Sequence, residues 1–273
     1  MKLATIRVEN GTSLAIEDNA DLVLLPFEDV GSWLRAGSPS LSGLRDTKRI
    51  PASAADFAPV VLNPGKIICV GLNYREHILE MGRELPEHPT LFAKFSDALI
   101  GANDPIVLPP GSTAVDWEAE LAVVIGQKVS RATDAESRAA IAGFTVANDI
   151  SARDFQRRTV EWLQGKTFDA TTPLGPFLVT TDEIGSAPDL ELRCEVDSTL
   201  KQEAGTGDLV FDPASLVSYV SAITTLHPGD VILTGTPGGV GDGRSPKEFL
   251  GEGSTVTTSI AGIGTCRNIC ITR

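Results

Sequence analysis

Apolar and polar positions alternate at the start of the chain. Residues 2–9 (KLATIRVE) and 12–18 (TSLAIED) lie on either side of Asn10-Gly11. Alternation with a period of two is typical of strands that bury one face, and Asn-Gly supplies the two positive φ angles of a type I′ turn. The pattern predicts a β-hairpin with its turn at Asn10-Gly11. Residues 22–37 then predict a short strand followed by a helix.

Short apolar runs bounded by Gly and Pro dominate the rest of the chain and predict strands. These runs are KIICVGL (66–72), ELAVVIG (120–126), GFTVAND (143–149), PFLVT (176–180), LELRCEV (190–196), DVILTG (230–235) and TVTTSI (255–260). Helical patterns are fewer: YREHILEMG (74–82), DAESRAAIA (134–142) and DPASLVSYVSAITTL (212–226). In the last pattern, Asp212 is the expected N-cap and Pro213 the first helical residue.

Together these elements predict an α+β, β-rich fold. The strands do not alternate regularly with helices, which disfavours a doubly wound parallel sheet. A length of 273 residues allows one large core, or a core with a small appended domain. We therefore expect a small N-terminal α/β domain over residues 1–60 and the main domain over residues 61–273.

Charge and composition narrow the class of protein. A chain that is 42% hydrophobic and 22% charged is typical of a folded globular protein. The net charge of −13 would repel a nucleic acid backbone, so we expect no nucleic acid partner, and a site for an anionic substrate needs local positive charge. Polar residues among the first ten positions and the shortness of every apolar run predict no signal peptide, no membrane span and a cytoplasmic location. The four cysteines form no CxxC pair, which favours reduced, buried thiols.

Three carboxylates stand beside apolar runs. Glu118 and Glu120 are two positions apart at the start of one run, so on a strand both point to the same face. Asp149 ends a second run. Three carboxylates without a neighbouring His or Cys suit a hard cation such as Mg²⁺ or Mn²⁺. On spacing alone, however, a solvated strand edge is the more frequent arrangement.

One histidine stands near a carboxylate on a predicted helix. His77 and Glu80 are at positions i and i+3, which are neighbours on a helical turn. Such a pair can form a general base with its orienting carboxylate. A solvent-exposed pair without a catalytic role is equally compatible with this spacing, and is more common.

Several positively charged side chains follow Asp149 in the sequence. The segment after Asp149 contains the cations Arg153, Arg157, Arg158 and Lys166, together with the polar residue Gln156. The ammonium group of Lys166 could meet a substrate carboxylate or a developing enolate. Arg153 and Arg158 could instead be structural ion-pair partners. A Gly-rich turn at residues 234–243 (TGTPGGVGDG) allows close approach of an anion but matches no phosphate-binding fingerprint.

From about Lys66 to the end, these motifs together resemble the fumarylacetoacetate hydrolase family. The resemblance is carried by VGLNYREHILE (70–80), LFAKFSDALIG (91–101), DWEAELAVVIG (116–126), NDISARDFQ (148–156), WLQGKTFDATTPLGP (162–176), LHPGDVILTGTPGGVG (226–241) and GIGTCRN (262–268). It implies a mixed β-roll like that of the fumarylacetoacetase C-terminal domain, a bound Mg²⁺ or Mn²⁺, and commonly a homodimer.

The resemblance also implies roles for individual residues. The metal ligands would be Glu118, Glu120 and Asp149, and the catalytic groups would be a lid-borne dyad of His77 and Glu80 together with Lys166. Substrate contacts would come from Asn73, Lys94, Gln156, Arg157, Gly235 and Thr236. Asn73 or a neighbouring residue stands where the founding hydrolase has an additional acidic ligand. This departure argues against fumarylacetoacetate itself and favours the shorter bacterial-type members.

The activity expected from this resemblance starts with a small 2-oxo acid whose enolate is stabilised by the metal. The first expectation is hydrolysis of the C–C bond of an acylpyruvate such as fumarylpyruvate, in aromatic compound catabolism, with His77 deprotonating the attacking water. An oxaloacetate decarboxylase and a 2-hydroxyhepta-2,4-diene-1,7-dioate isomerase use the same enolate and stay open. A metal-holding binding module without turnover is the non-enzymatic alternative.

Overall fold

A computed structural model describes residues 1–41 and 48–273 of the chain, so residues 42–47 of the predicted N-terminal domain lie outside the described part. The strands in chain order are β1 (Lys2–Val8), β2 (Gly11–Asp18), β3 (Asp21–Leu25), β4 (Arg49–Pro51), β5 (Ile67–Gly71), β6 (Thr90–Lys94), β7 (Leu99–Ile100), β8 (Ile106–Val107), β9 (Val115–Asp116), β10 (Ala119–Ile125), β11 (Ile141–Asn148), β12 (Ser151–Ala152), β13 (Thr172–Thr180), β14 (Glu191–Val196), β15 (Thr199–Gly205), β16 (Val231–Leu233), β17 (Thr255–Ile260) and β18 (Gly264–Ile271). The α-helices are α1 (Val30–Arg35), α2 (Arg75–Glu80), α3 (Asp134–Ala140), α4 (Arg153–Gln156), α5 (Leu163–Lys166), α6 (Thr181–Ile184) and α7 (Pro213–Ile223).

Two sheets form the body of the molecule. The larger sheet has the order β4-β3-β2-β1-β13-β11-β10-β16-β5-β6, and the smaller has the order β15-β14-β17-β18-β8. Most neighbouring strands are antiparallel, whereas β16 pairs with β5, and β18 with β8, in parallel. Buried apolar side chains of both sheets share one core, for example Val123 and Phe144 from the larger sheet and Val256 from the smaller. The predicted α+β, β-rich class is confirmed, and strands far outnumber helices in this part of the chain.

The N-terminal hairpin forms as predicted, but its turn lies one residue earlier. Val8 pairs with Gly11, so the residues between the strands are Glu9 and Asn10. The type I′ turn at Asn10-Gly11 was therefore wrong, because Gly11 is the first residue of β2, where it takes a φ of +121°. Strand β1 also pairs with β13, so the large sheet continues through the N-terminal segment; a domain boundary at residue 60 stays a prediction.

The helices begin where the sequence indicates. Asp212 caps α7 by accepting a hydrogen bond from the N–H of Ser215, and Pro213 is the first residue of that helix. The predicted helices α2 and α3 are also present. No helix among the described residues is long and apolar enough to cross a membrane. All four cysteines are free and buried, as expected for reduced thiols.

Antiparallel pairing of β10 with β11 positions the carboxylates. The register joins Ala119 to Asn148, so Glu118 and Asp149 follow directly at the same end of the pair. There the N–H of Asp149 donates to the carbonyl oxygen of Glu118 across 2.8 Å. Glu120 lies within β10, two positions along from Glu118. The backbone pairing thus brings two strand ends to one point.

Candidate active site and metal centre

Three predicted ligands converge at this point. Each of Glu118, Glu120 and Asp149 offers a carboxylate oxygen, and these oxygens lie within 4.8 Å of one another. The three residues are buried, with relative exposures of 7%, 1% and 0%. The solvated strand edge that spacing alone allowed is therefore wrong.

Cationic side chains surround two of the carboxylates. The Nζ of Lys166 lies 2.6 Å from Glu118 Oε2 and 2.7 Å from Asp149 Oδ2. The Nζ of Lys94 lies 2.6 Å from Asp149 Oδ1, and Arg153 Nη1 lies 2.6 Å from Glu118 Oε1. Burial alone would raise the pKa of Asp149, but the two ammonium groups outweigh it and hold that pKa below its usual value. Burial likewise opposes the charge of Lys166, yet Asp149 and Glu118 raise its pKa.

Glu120 differs from the other two carboxylates. It accepts a hydrogen bond of 2.7 Å from the N–H of Gly235, and no cationic side chain within the described ranges pairs with it. Burial, and then repulsion from Asp149 and Glu118, hold its pKa well above the usual value. A divalent cation among the three would relieve this repulsion. Because the donors are all carboxylate oxygens, the set fits Mg²⁺ or Mn²⁺.

A fourth buried carboxylate, Asp116, organises the neighbouring loop. Its Oδ1 accepts from the N–H of Gly241 at 2.7 Å, and its Oδ2 accepts from the N–H of Asp242 at 3.0 Å and from Arg153 Nε at 2.8 Å. Arg153 is thereby held between Asp116 and Glu118, and these two carboxylates compensate its buried charge. Sequence reasoning missed this residue. The available signal in the sequence was its spacing, because Asp116 stands two residues before Glu118, just as Glu118 stands two residues before Glu120.

A cavity of about 250 Å³ opens onto two of the three carboxylates, Glu118 and Glu120. Seven predicted or considered residues line it: His77, Glu118, Glu120, Arg153, Gln156, Lys166 and Thr236. Its apolar wall includes Val70, Phe92 and Trp162. Glu118, Glu120, His77 and Lys166 therefore meet a common space that could receive a small polar molecule.

His77 lies between this cavity and a second one. The second cavity, of about 280 Å³, is also lined by Glu80 and Gly238. A Cβ added to Gly238 would lie 3.1 Å from His77 Nδ1 and 3.5 Å from Glu80 Oε2, so both side chains pack against this glycine. Across the part of the chain that the structure describes, however, no hydrogen bond or ion pair joins His77 to Glu80. Burial lowers the pKa of His77, with Glu80 and Glu118 opposing the shift, so the imidazole is neutral at neutral pH.

Four residues predicted to contact substrate make hydrogen bonds or ion pairs within the protein, and their contact with substrate stays a prediction. The amide of Asn73 donates to Phe211 O and Thr234 O and accepts from the N–H of Phe211. Lys94 is fully buried against Asp149, and Gly235 contributes its N–H to Glu120. Their partners come from distant segments, which is why the local pattern did not reveal these roles.

The fourth residue is Arg157, which pairs with Asp242 instead of facing the cavity. Its neighbour Arg158 stacks on Phe155, with the guanidinium carbon 3.4 Å from the ring centroid. Neither Arg157 nor Arg158 lines the cavity.

Comparison with known proteins identifies the relatives of this chain. The model for the fumarylacetoacetate (FAA) hydrolase C-terminal region matches residues 66–271. Oxaloacetate tautomerase Fahd2a of Rattus norvegicus is 46% identical over 220 residues, which cover 80% of this chain and 70% of that protein. Oxaloacetate tautomerase FAHD2B of Bos taurus is 43% identical over 271 residues, which cover 96% of this chain and 85% of that protein. Both are described as mitochondrial, so a cytoplasmic location stays a prediction.

Solved structures agree over the whole chain. A fumarylacetoacetate hydrolase from Exiguobacterium antarcticum has a TM-score of 0.91 at 29% identity, with 100% of both chains covered. A 2-hydroxyhepta-2,4-diene-1,7-dioate isomerase from Mycobacterium marinum has a TM-score of 0.82 at 33% identity, covering 100% of this chain and 99% of the other. The same fold thus occurs in proteins named as a hydrolase and as an isomerase.

Proposed function

This chain belongs to the fumarylacetoacetate hydrolase family, and we propose that it is an enzyme that interconverts the enol and keto forms of a 2-oxo acid, with oxaloacetate as the first substrate to test. The observation that carries this proposal is the meeting of His77 and Lys166 with Glu118 and Glu120 around one cavity. A neutral base, a cation and carboxylates able to hold a metal are the groups that enolate chemistry requires.

The reaction follows from what these side chains can do. A divalent cation held by the three carboxylates would act as a Lewis acid on the keto oxygen of the substrate. His77 takes the proton from the enol hydroxyl and, as the imidazolium, delivers a proton to C3, which returns the imidazole to its neutral form. The ammonium group of Lys166 stabilises the negative charge that develops on the oxygen between these two transfers. Because one proton leaves and one arrives, neither water nor a leaving group is consumed.

Two observations favour tautomerisation over hydrolysis. Hydrolysis needs a water molecule held by a base whose own carboxylate orients it, and His77 makes no hydrogen bond to Glu80 within the described residues. Tautomerisation needs the imidazole at the cavity wall but no oriented water molecule. The names of the relatives from Rattus norvegicus and Bos taurus support the same choice.

Hydrolysis of an acylpyruvate is the second candidate. His77 and Glu80 pack against the same glycine, Gly238, so the two side chains are neighbours at this point. Gln156 and Arg153 also line the cavity, where they could hold an attacking water. Decarboxylation of oxaloacetate and isomerisation of a dienol use the same groups and are tested in the same assay.

The test compares these reactions in parallel with Mg²⁺ and Mn²⁺. We expect the protein to accelerate the loss of enol absorbance from oxaloacetate more than it releases pyruvate from acylpyruvates, releases carbon dioxide from oxaloacetate, or converts a hydroxymuconate-type dienol. His77→Ala should abolish the acceleration, whereas His88→Ala, at an exposed position, should not. Faster acylpyruvate cleavage than tautomerisation would support the hydrolase instead. No turnover in any of the assays would favour the binding module.

We also propose that the protein forms a homodimer. Three large apolar side chains in two segments are exposed. Phe95, directly after β6, is 56% exposed; Val160, shortly before α5, is 93% exposed, and Leu163, the first residue of α5, is 38% exposed. The N–H of Phe95 donates to Thr167 Oγ1, which brings Phe95 next to the segment after α5. Light scattering coupled to size-exclusion chromatography measures the mass, and a monomer at all concentrations would contradict the proposal.

A further inference from the structure

One cationic side chain at the cavity has no partner of its own. The cavity is lined by Arg83, Arg153 and Lys166. Arg153 pairs with Asp116 and Glu118, and Lys166 pairs with Glu118 and Asp149. Within the residues that the structure describes, Arg83 forms no ion pair and no side-chain hydrogen bond. Its guanidinium is therefore available to a ligand.

The backbone fixes Arg83 relative to His77. Helix α2 ends at Glu80, and Gly82, which follows the C-cap residue Met81, has a φ of +67° and therefore adopts the left-handed conformation that favours glycine. The N–H of Arg83 then donates back to the carbonyl of Ile78, over 3.2 Å, as in a Schellman cap. Ile78 is buried, with 1% relative exposure. The proposed base and the free guanidinium are thus carried by one short, anchored unit.

The other candidates for this charge are used elsewhere. Arg157 pairs with Asp242, and Arg158 stacks on Phe155. Asp242, which also lines the cavity, is paired with Arg157 and Lys247, so it leaves the charge of Arg83 uncompensated. Arg83 is exposed at the cavity rim, whereas the three carboxylates are buried. A molecule bound in this cavity would therefore have both buried carboxylates, Glu118 and Glu120, and the exposed Arg83 among the residues around it.

We propose that Arg83 binds the distal carboxylate of a 2-oxo dicarboxylic acid and determines that this enzyme prefers dicarboxylates to monocarboxylates. The inference rests on the proposed function, because it assigns the 2-oxo acid end of the substrate to the carboxylate site. Arginine matches a carboxylate with two parallel N–H donors, which gives both affinity and orientation. The reactive end of a 2-oxo acid carries one carboxylate, so a second carboxylate is what distinguishes the two classes. Arg83 is the group that would bind this second carboxylate.

The kinetic test uses Arg83→Gln, with Arg75→Gln as the matched control. Arg75 is the exposed first residue of the same helix and does not line the cavity. We expect Arg83→Gln to lower kcat/KM for enol-oxaloacetate about tenfold to a hundredfold, mainly through KM, and to leave kcat/KM for enol-phenylpyruvate, a monocarboxylate, unchanged. Arg83→Lys should recover part of the loss, because it keeps the charge and loses the paired donors. Equal losses on both substrates, or no loss on either, would overturn the proposal.

A binding test separates this proposal from the proposed reaction. Calorimetry with Mn²⁺ measures the Kd of difluorooxaloacetate, which has no C3 proton and cannot enolise, and the Kd of pyruvate. We expect Arg83→Gln to weaken difluorooxaloacetate about tenfold or more and to leave pyruvate unchanged. If Arg83→Gln weakens the binding of difluorooxaloacetate but not of pyruvate, and the wild-type protein does not accelerate enol decay, the proposed reaction is wrong and the role of Arg83 stands. If Arg83→Gln binds difluorooxaloacetate as tightly as the wild type does, the role of Arg83 is wrong, whichever reaction is catalysed.

Discussion

The N–H of Asp149 donates a hydrogen bond of 2.8 Å to the carbonyl oxygen of Glu118. Two proposed metal ligands from different strands are thus joined through their backbones, independently of their carboxylates. Replacing a ligand side chain leaves this connection in place. The ligand variants below therefore test metal binding without removing the frame that holds the site.

Glu120→Gln should remove metal binding. The amide keeps the size of the side chain but loses the charge that a hard cation requires. We expect the Kd for Mn²⁺, measured by calorimetry, to rise about a hundredfold or more, a larger change than the roughly 10- to 100-fold typical of outer residues. Glu252→Gln, at an exposed position, is the control. Wild-type affinity in Glu120→Gln would contradict the ligand set.

Lys94→Met should destabilise the fold. The side chains of Lys94 and Asp149 are both 0% exposed, and removing one member of a fully buried ion pair leaves the other charge without that partner. The expected loss in the free energy of unfolding is about 3 to 5 kcal/mol, measured by urea denaturation with the metal removed by chelation. Lys128→Met, at an exposed position, should change it by less than about 0.5 kcal/mol. A loss equal to that of the control would show that Lys166 alone satisfies Asp149.

The pH profile should report on His77. Because the base must be neutral and burial lowers its pKa, kcat/KM should fall only when the pH drops below the ordinary histidine value of 6.5. Glu80 opposes this shift, so Glu80→Gln should move the acid limb to still lower pH. Both profiles are measured at saturating Mg²⁺. An acid limb that stays in place or moves upward in Glu80→Gln would show that Glu80 does not act on the base.

Gly238→Ala should reduce turnover without unfolding the protein. The new Cβ would lie 3.1 Å from His77 Nδ1, closer than most real contacts, so the imidazole must move. We expect a loss of roughly tenfold to a hundredfold in kcat, consistent with the cost of misplacing a catalytic group by about 1 Å. Gly251→Ala is the control, because nothing lies within 4 Å of its Cβ position. A wild-type kcat in Gly238→Ala would show that His77 does not pack against this glycine during catalysis.

The periodic features of the sequence carried over well into the structure. The two-residue spacing of Glu118 and Glu120 specifies one face of a strand, and a polar residue at the end of an apolar run locates Asp149 at a strand end. The Asp212-Pro213 start of α7 is likewise a local signal. Such features were predictable because each depends on residues a few positions apart.

Features that depend on distant partners were not predictable in this way. The amide of Asn73 bonds to Phe211 and Thr234, which lie 138 and 161 positions away, so neither the local sequence nor the family resemblance indicated these partners. Lys94 and Asp149 are 55 positions apart, and the residues next to each of them in the sequence do not indicate that the two side chains pair. The hairpin turn failed for another reason, because the register of β1 with β2 decided which two residues link them.

The buried charges of the site also set an order of events. Four carboxylates, those of Asp116, Glu118, Glu120 and Asp149, face three cations, those of Lys94, Arg153 and Lys166. The raised pKa of Glu120 favours its protonated form before a metal binds, and three ionised carboxylates then balance the three cations. A divalent cation that displaces this proton leaves the cluster with one positive charge in excess, so an anionic substrate is attracted only after the cation arrives. Association is expected to be sequential, with the rate of substrate capture rising with cation occupancy.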